Sequence, residues 1–283
     1  MMKYLLFVWG WLLPLVLLAE PPLEPLQIAK QFVAPTGWPE MKSYLSGEAA
    51  GQARRQSLGQ QIPTTLQRHC ELLEQREHTA VVAVELRDSV SRNDFYLHFR
   101  RDSASATIPW KLAAIRSLGM TQLGPPMLKL LAEMPPAEAA QYNQKHPDAS
   151  RDFMLGNIQL WIGSDANIAE HFARHQPEFQ RAADLVQSRY FTPTLPDTAL
   201  VRTEQAANAD ADVLAALRPL YISRVTRRNL GCANCLEFLI GGVTDNTVGL
   251  LYQPVAAKVP PMSPNRIIVM KPLGNGWYLY KTT

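Results

Sequence analysis

The sequence predicts an α+β fold in which helices pack on antiparallel sheets. Strand-like runs at residues 79–88, 94–101 and 110–118 follow one another with short polar connections. Short turns between consecutive strands favour antiparallel pairing. Helical periodicity precedes these runs, and hairpin signals lie near the C-terminus. Helices and strands that are segregated along a chain are typical of the α+β class.

The N-terminus predicts a secretory signal peptide at residues 1–19. Lys3 is the one charged side chain of this segment, residues 5–18 are uncharged and mostly apolar, and the small residue Ala19 precedes Glu20. The apolar run is short for a bilayer-spanning helix, which needs about 20 residues. We therefore expect a periplasmic or secreted chain that begins at Glu20. An uncleaved N-terminal membrane anchor is the alternative.

Composition excludes several classes of protein. The chain has 28 Lys and Arg against 25 Asp and Glu, a net charge of +3 spread along 283 residues. Nucleic-acid binding needs many positive charges facing phosphates, so we expect no nucleic-acid partner. After the signal peptide no apolar run is long enough to span a membrane, and the mature chain is expected to have no transmembrane segment. The six His and three Cys form no dense group, which predicts neither a metal site nor a cofactor.

The N-terminal unit is predicted to place its helices before its strands. Apolar residues recur at helical spacing in three segments, at residues 25–33, 38–45 and 64–77. In the third segment Leu66, Cys70 and Leu73 share one face. Gly124-Pro125-Pro126 then ends the strand pattern. We therefore expect two units after the signal peptide, at residues 20–119 and 120–283.

The C-terminal unit is predicted to be a second α+β domain with C-terminal hairpins. Its predicted helices are at residues 127–133, 136–145, 165–189 and 212–217. Residues 153–162 form an apolar run that predicts a strand, and the Pro- and Asn-rich residues 191–212 predict a long surface connection. Hairpins are expected at 237–252, around Asp245-Asn246, and at 266–281, around Asn275-Gly276.

Short segments of both units resemble exported bacterial domains. The N-terminal ones are Ala29-Lys30-Gln31-Phe32, Tyr44-Leu45-Ser46-Gly47 and Trp110-Lys111-Leu112-Ala113-Ala114-Ile115. On these residues the unit resembles the nuclear transport factor 2-like (cystatin-like) α+β domains of small exported proteins. The resemblance implies a cone-shaped domain, but that fold hosts isomerases, dehydratases, adaptors and binding modules, so it carries no reaction. From Phe153 onward, including Pro272-Leu273-Gly274-Asn275-Gly276, the chain resembles exported bacterial domains of uncharacterised activity.

Five residues are candidates for acid–base chemistry in the N-terminal unit: His69, His78, Asp94, Tyr96 and His98. Tyr96 and His98 alternate with apolar residues, as the solvent-facing side of a strand does. His69 and His78 flank a predicted helix whose exposed face is charged. We expect Tyr96, His98, His69 and His78 to face solvent, and we assign no catalytic and no cofactor-binding residue.

Two further histidines have the spacing of a metal site. His171 and His175 are four residues apart on a predicted helix, so they could share a face and chelate an ion. A zinc-protease helix has a Glu directly after its first His, but here Phe172 occupies that position, and the sequence indicates no third ligand. The sequence therefore favours two solvated histidines and no metal.

The cysteines predict one short disulfide. Cys232 and Cys235 have the spacing of thiol–disulfide oxidoreductases, whose reactive thiolate lies at a helix N-terminus. Here a predicted strand follows the pair, so we expect a structural disulfide in an oxidising compartment. Cys70, on the apolar face of its predicted helix, is expected to be a buried free thiol.

Two classes of function remain open. The first is an exported, non-catalytic protein that binds a partner protein or a small molecule of the envelope. The second is an enzyme of the isomerase, lyase or hydrolase type that uses a pocket of the N-terminal unit. Converging Asp, His or Tyr groups in such a pocket would favour the enzyme.

Overall fold

The computed structural model describes residues 21–283, apart from residues 55, 90, 106, 192–199, 228–229, 233 and 244–245. The predicted signal peptide at residues 1–19 lies outside the described residues. The helices are α1 (Pro25–Val33), α2 (Gly47–Gly51), α3 (Leu58–Gln61), α4 (Gly124–Ala132), α5 (Pro136–Lys145), α6 (Arg151–Trp161), α7 (Asp165–Arg174), α8 (Gln176–Arg189), α9 (Leu200–Ala209) and α10 (Ala211–Leu217). The strands are β1 (Gln67–Gln75), β2 (Thr79–Arg87), β3 (Arg92–Arg101), β4 (Trp110–Arg116), β5 (Arg224–Thr226), β6 (Leu236–Val243), β7 (Asn246–Tyr252), β8 (Ile267–Gly274) and β9 (Trp277–Thr282). The predicted α+β class is confirmed, and no helix of the described part is long and apolar enough to cross a membrane.

The first sheet is an antiparallel meander in the order β1-β2-β3-β4. β2, β3 and β4 lie where strands were predicted. One face of this sheet carries Leu97 and Phe99 and packs on Ile28 and Phe32 of α1. α1 forms because its apolar residues share one side, and the side chains of Glu24 and Gln27 cap its first turn reciprocally.

The second sheet has the order β5-β6-β7-β9-β8 and is antiparallel throughout. Its two predicted hairpins are confirmed as β6–β7 and β8–β9. The second turns through Asn275 and Gly276, both at positive φ, which is what a tight hairpin turn requires. Phe172 of α7 and Phe179 of α8 pack on Trp277 of β9, so these helices cover one face of the sheet.

The other faces of the two sheets meet in a shared apolar core. Val81, Ala83 and Tyr96 of the first sheet pack with Ile268 and Tyr280 of the second. The predicted units at 20–119 and 120–283 each have a core of their own as well. The division into two units stays a prediction, and this shared core lies between them.

Two segments adopt the opposite secondary structure from the predicted one. Residues 67–75 form the edge strand β1 instead of a helix, since Cys70 pairs with Val84 in the sheet and this tertiary pairing outweighs helix propensity. Residues 151–161 form the helix α6 instead of a strand. Its apolar run fits both states, and Ser150 caps the helix by accepting a hydrogen bond from the Phe153 amide at 3.3 Å.

Two helix boundaries also differ from the prediction. The predicted helix at 165–189 is divided at His175, because Pro177 occupies the first turn of a new helix, where its missing N–H costs nothing. The predicted surface connection at 191–212 contains α9 and the first residues of α10. Asp210 caps α10 by accepting from the Asp212 amide at 2.8 Å.

Candidate ligand-binding groove

The predicted acid–base candidates of β3 are buried between the two sheets. Tyr96 is fully buried and His98 is 3 % exposed. The expectation that they face solvent was therefore wrong. Alternation along β3 is real, but the second sheet covers the polar side of the strand, which a single strand pattern cannot reveal. His69 and His78 are exposed, as expected.

Asp94 and Tyr96 belong to a buried ionic cluster, which we define as Asp94, Tyr96, Asp165 and Lys281. The Lys281 ammonium lies 2.8 Å from Asp165 Oδ1 and 3.8 Å from Asp94 Oδ2, and it donates to Tyr96 Oη at 2.9 Å. Tyr96 donates to Asp165 Oδ1 at 2.8 Å. Asp94 Oδ2 accepts the Asp165 amide at 2.6 Å, an N–H that the first turn of α7 leaves unpaired. The cluster thus joins β3, α7 and β9.

Burial shifts the pKa values of Asp94, Tyr96 and His98, which lie on one side of β3. The pKa of Asp94 is raised to about 6, first by burial and then by the Asp165 carboxylate, against the attraction of Lys281. The pKa of Tyr96 is raised well above its usual range by burial and both carboxylates, so it remains a hydrogen-bond donor. The pKa of His98 is lowered to about 4 by burial and by Arg116. These groups hold the sheets together and line neither of the cavities described below.

A cavity of about 430 Å³ lies on the helix side of the first sheet. Its described lining residues are Phe32, Met41, Leu45, Ala49, Gln52, Ala53, Arg54, Gln56, Leu58, Gln61 and Ile115. This lining is apolar and amide-rich and contains no carboxyl, imidazole or phenol group. Asp94, Tyr96 and His98 face the opposite side of the sheet, so the structure separates the predicted acid–base groups from this cavity.

His171 of α7 lies against the protein interior, whereas His175, which directly follows α7, is partly exposed. His171 is buried, its Nε2 atom lies 3.2 Å from the Leu220 carbonyl oxygen, and burial lowers its pKa. Its ring packs 4.8 Å from that of His175. The expectation of two solvated histidines was therefore wrong for His171, because the Leu220 segment covers this side of α7. Among the described residues no group of three or more His, Cys, Asp or Glu could hold a metal ion.

The predicted Cys232–Cys235 pair lies at disulfide distance, with Cα atoms 5.5 Å apart. Gly231 and Asn234 adopt positive φ, which folds the loop tightly before β6. The Gln253 amide donates to Cys235 Sγ at 3.4 Å, and its Oε1 atom accepts the Val255 amide at 3.0 Å. The pair is therefore tied to the segment 253–258.

Cys70 is a free thiol, as expected, but it lies half-buried on β1 and not on a helix. Burial raises its pKa to about 11. A thiol with a pKa this high is almost entirely protonated at neutral pH and is a poor nucleophile.

A larger cavity of about 580 Å³, the Cys235 groove, lies between the end of α8, the segment 253–258 and the loop that carries Cys232 and Cys235 before β6, which we call the cysteine loop. Its lining residues in the described part of the chain are Asp184, Gln187, Ser188, Phe191, Arg227, Asn234, Cys235, Leu236, Gln253, Pro254, Val255 and Lys258. Apolar side chains form its body, and amide, hydroxyl and charged groups are distributed among them. Small-molecule sites have this character and occupy about 300–1,000 Å³.

Among the residues of this groove, the sequence predicted a structural role for Cys235, as one half of a disulfide with Cys232. The end of α8 and the segment 253–258 carry no motif that marks a site. They meet only because β6 and β7 pair and α8 packs over the sheet. A groove made by three segments that are distant in sequence leaves no local signal.

Comparison of the chain with protein-family models, with curated proteins and with solved structures found no match. The geometry of the groove and of the buried groups is therefore the basis on which a function is proposed.

Proposed function

We propose that this is an exported, non-catalytic protein that binds a small molecule with an apolar body in the Cys235 groove. The observation that carries the proposal is the groove itself, whose volume of about 580 Å³ suits a small organic ligand. Phe191 and Leu236 offer buried apolar contact, and Val255, at 46 % exposure, offers an apolar surface at the opening. Covering such surface contributes roughly 25 cal/mol per Å².

Export is the second part of the proposal. It is supported by the signal-peptide features of residues 1–19 and by the cysteine pair at disulfide distance, since disulfides persist in oxidising compartments. The resemblance of the N-terminal unit to nuclear transport factor 2-like domains belongs to the same proposal. The first residue of the native protein tests export: N-terminal sequencing is expected to give Glu20, and a chain that retains residues 1–18 in the membrane fraction would contradict it.

An enzyme that uses the N-terminal cavity is the alternative. Proton transfer needs an acid or base within hydrogen-bond reach of the reacting atom. The described lining of that cavity has Arg54 as its one charged group and otherwise amides and apolar side chains. This favours the binding protein over an isomerase, lyase or hydrolase in this part of the molecule.

Binding of a neutral apolar dye tests the proposal. N-phenyl-1-naphthylamine fluoresces strongly only in apolar surroundings, and we expect saturable binding by the mature protein. The Val255→Glu variant places a carboxylate at the opening of the groove, where the bound dye would remove water from it. Because a carboxylate without water or a partner is unfavourable, we expect the affinity for the dye to fall about tenfold or more.

Val243→Glu is the matched control, because Val243 is 52 % exposed and lies outside the groove. We expect this variant to bind the dye like the parent protein. Equal affinity of the parent protein and the Val255→Glu variant would show that the dye binds elsewhere and would refute the proposed site.

A further inference from the structure

We propose that the buried ionic cluster is a pH-operated latch between the first sheet and α7. With a proton bound to Asp94, the latch holds the start of α7 on β3, and loss of that proton loosens this contact. No member of the cluster is among the described lining residues of the Cys235 groove. The inference therefore goes beyond the proposed function and does not depend on it.

Titratable and charged groups face Asp94 from each element that packs on it. In the described part of the chain they are Tyr96 on β3 itself, Glu85 on β2, Asp165 on α7 and Lys281 on β9. Glu85 and Asp94 are direct cross-strand partners. Such partners have Cβ atoms about 4.5–5.5 Å apart, and like charges at these positions repel. Because the side chains of Asp94 and Asp165 are each 5 % exposed, solvent screens the repulsion between their carboxylates only weakly.

The donors of the cluster are shared unequally between its two carboxyl groups. Asp165 Oδ1 accepts from Tyr96 Oη at 2.8 Å and lies 2.8 Å from the Lys281 ammonium. Asp94 Oδ2 accepts the Asp165 amide at 2.6 Å, but it lies 3.8 Å from the ammonium, which is beyond hydrogen-bond distance. The contacts therefore stabilise the carboxylate form of Asp165 more strongly, and the proton belongs on Asp94.

Two buried carboxylate oxygens that face Asp94 lack a hydrogen-bond donor in the described part of the chain. They are Asp165 Oδ2 and Glu85 Oε1. Arg87 Nη1 lies 3.9 Å from Glu85 Oε1, which is too far for a hydrogen bond. A buried acceptor without a donor is unfavourable. A protonated Asp94 carries the O–H donor that this part of the cluster lacks.

A row of titratable side chains connects Asp94 with solvent. Glu85 is the cross-strand partner of Asp94 and also of His69 on β1. Directly paired residues lie on the same side of a sheet, so the three side chains form one row. The exposed fraction rises along it, from 5 % for the Asp94 side chain to 20 % for that of Glu85, and His69 is exposed. When Asp94 ionises, its O–H bond breaks and the proton passes along this row to solvent water.

Opposing contributions decide the pH at which the latch loosens. Burial, and then the carboxylate of Asp165, raise the pKa of Asp94 to about 6, and Glu85 contributes in the same direction. The Lys281 ammonium and the amide at the N-terminus of α7 oppose this shift without cancelling it. The latch is therefore closed below about pH 6 and loosens above it, because the open form gains a solvated carboxylate. The pKa of His98, on the same side of β3, is lowered to about 4, so this group stays neutral in the closed form above pH 5.

Hydrogen exchange in α7 tests the latch. Mass spectrometry of a peptide that contains residues 164–172 measures protection at each pH, once the intrinsic pH dependence of exchange is divided out. With a pKa of about 6 in the closed form and about 3.9 in the open form, we expect protection to fall about tenfold between pH 5 and pH 7.5. In Asp94→Asn we expect no such fall, because the side-chain amide still accepts from the Asp165 amide and does not titrate.

Glu170→Gln is the matched control, because Glu170 joins the same two elements through a largely exposed ion pair with Arg92 at 3.2 Å. We expect this variant to keep the tenfold fall. Glu85→Gln is expected to keep the fall with its midpoint at lower pH, since one carboxylate fewer faces Asp94. Protection of the parent protein that does not depend on pH, or the same fall in Asp94→Asn, would overturn the inference. An equal fall of protection in β6 would indicate global unfolding and would overturn it as well.

Discussion

At the scale of single residues, Asp94 and His98 lie on the same side of β3 and respond to pH in opposite directions. The folded state binds the proton of Asp94 more tightly than the unfolded chain does, because the pKa rises from the ordinary value of about 3.9 to about 6. The folded state binds the proton of His98 less tightly, because the pKa falls from about 6.5 to about 4. Their linked contributions oppose one another between about pH 4 and pH 6.

Asp94→Asn is expected to isolate the contribution of the carboxylate. The stabilisation by the raised pKa is complete below about pH 4 and is lost as the pH rises through about 6. The variant has no such loss, so its free energy of unfolding relative to the parent protein is expected to rise by about 2 kcal/mol from pH 4 to pH 7. Urea unfolding across this range measures the difference, and a difference that does not depend on pH would contradict the shift.

His98→Gln is expected to give the opposite slope. His98 in the folded protein resists protonation, so its contribution to stability is present above about pH 6.5 and is lost as the pH falls toward 4. The stability of the variant relative to the parent protein is therefore expected to rise by about 3 kcal/mol on acidification from pH 7 to pH 4. The same urea series tests this, and a relative stability that falls on acidification would refute it.

The residue pattern predicted part of this site. It listed Asp94, Tyr96 and His98 as candidates and placed Tyr96 and His98 on one side of β3 by alternation. It did not name Asp165 and Lys281, whose bonds to Asp94 and Tyr96 connect positions 71 and 185 residues apart. Contacts at such separation depend on how the sheets pack, which no local pattern encodes.

At the scale of elements, the cysteine loop shapes one wall of the groove and contributes little to global stability. Cross-linking such a short loop removes entropy from the unfolded chain worth about 2 kcal/mol at most. The double variant Cys232→Ser, Cys235→Ser is therefore expected to unfold at slightly lower denaturant and to bind N-phenyl-1-naphthylamine several-fold more weakly, since Cys235 lines the groove and contacts Gln253.

Cys70→Ser serves as the control for this loop, because Cys70 lies on β1, away from the groove. It is expected to keep the dye affinity of the parent protein. Unchanged dye affinity in the double variant would show that the cysteine loop is not part of the binding wall.

Helices and strands were predicted correctly where the sequence fits either the helical or the strand periodicity, and incorrectly where it fits both. β2 and the β8–β9 hairpin show strand patterns next to clear turn residues. β1 contains Glu and Leu, which favour helices. It forms a strand because its backbone hydrogen-bonds to the edge of β2. The apolar run of α6 also fits a buried strand, and its length and the N-cap at Ser150 are what favour a helix.

At the scale of the whole molecule, the buried ionic cluster couples the two sheets. Lys281→Met would leave the carboxylates of Asp94 and Asp165 buried without their cation, which typically costs about 3–5 kcal/mol. Because the cluster touches both sheets, hydrogen exchange is expected to accelerate in β2 and in β7 together. Acceleration in one sheet alone would favour the independent units that the sequence predicts at 20–119 and 120–283.

Lys271→Met is the control for this variant. Lys271 also links the sheets, through Glu71 at 2.6 Å, but both side chains are partly exposed, and such pairs contribute about 0–1 kcal/mol. We expect exchange in β2 and β7 to remain close to that of the parent protein. A large effect here would mean that any charge between the sheets is essential, whether buried or not.

The most direct test of the proposed function is a methyl spectrum of the isotope-labelled protein, recorded while N-phenyl-1-naphthylamine is added. We predict that the methyl signals of Leu236 and Val255, in the Cys235 groove, shift and saturate together. The signals of Leu45, Leu58 and Ile115, in the N-terminal cavity, are predicted to remain in place. Shifts of the second set with the first set unchanged would place the ligand in the N-terminal cavity and contradict the proposed function.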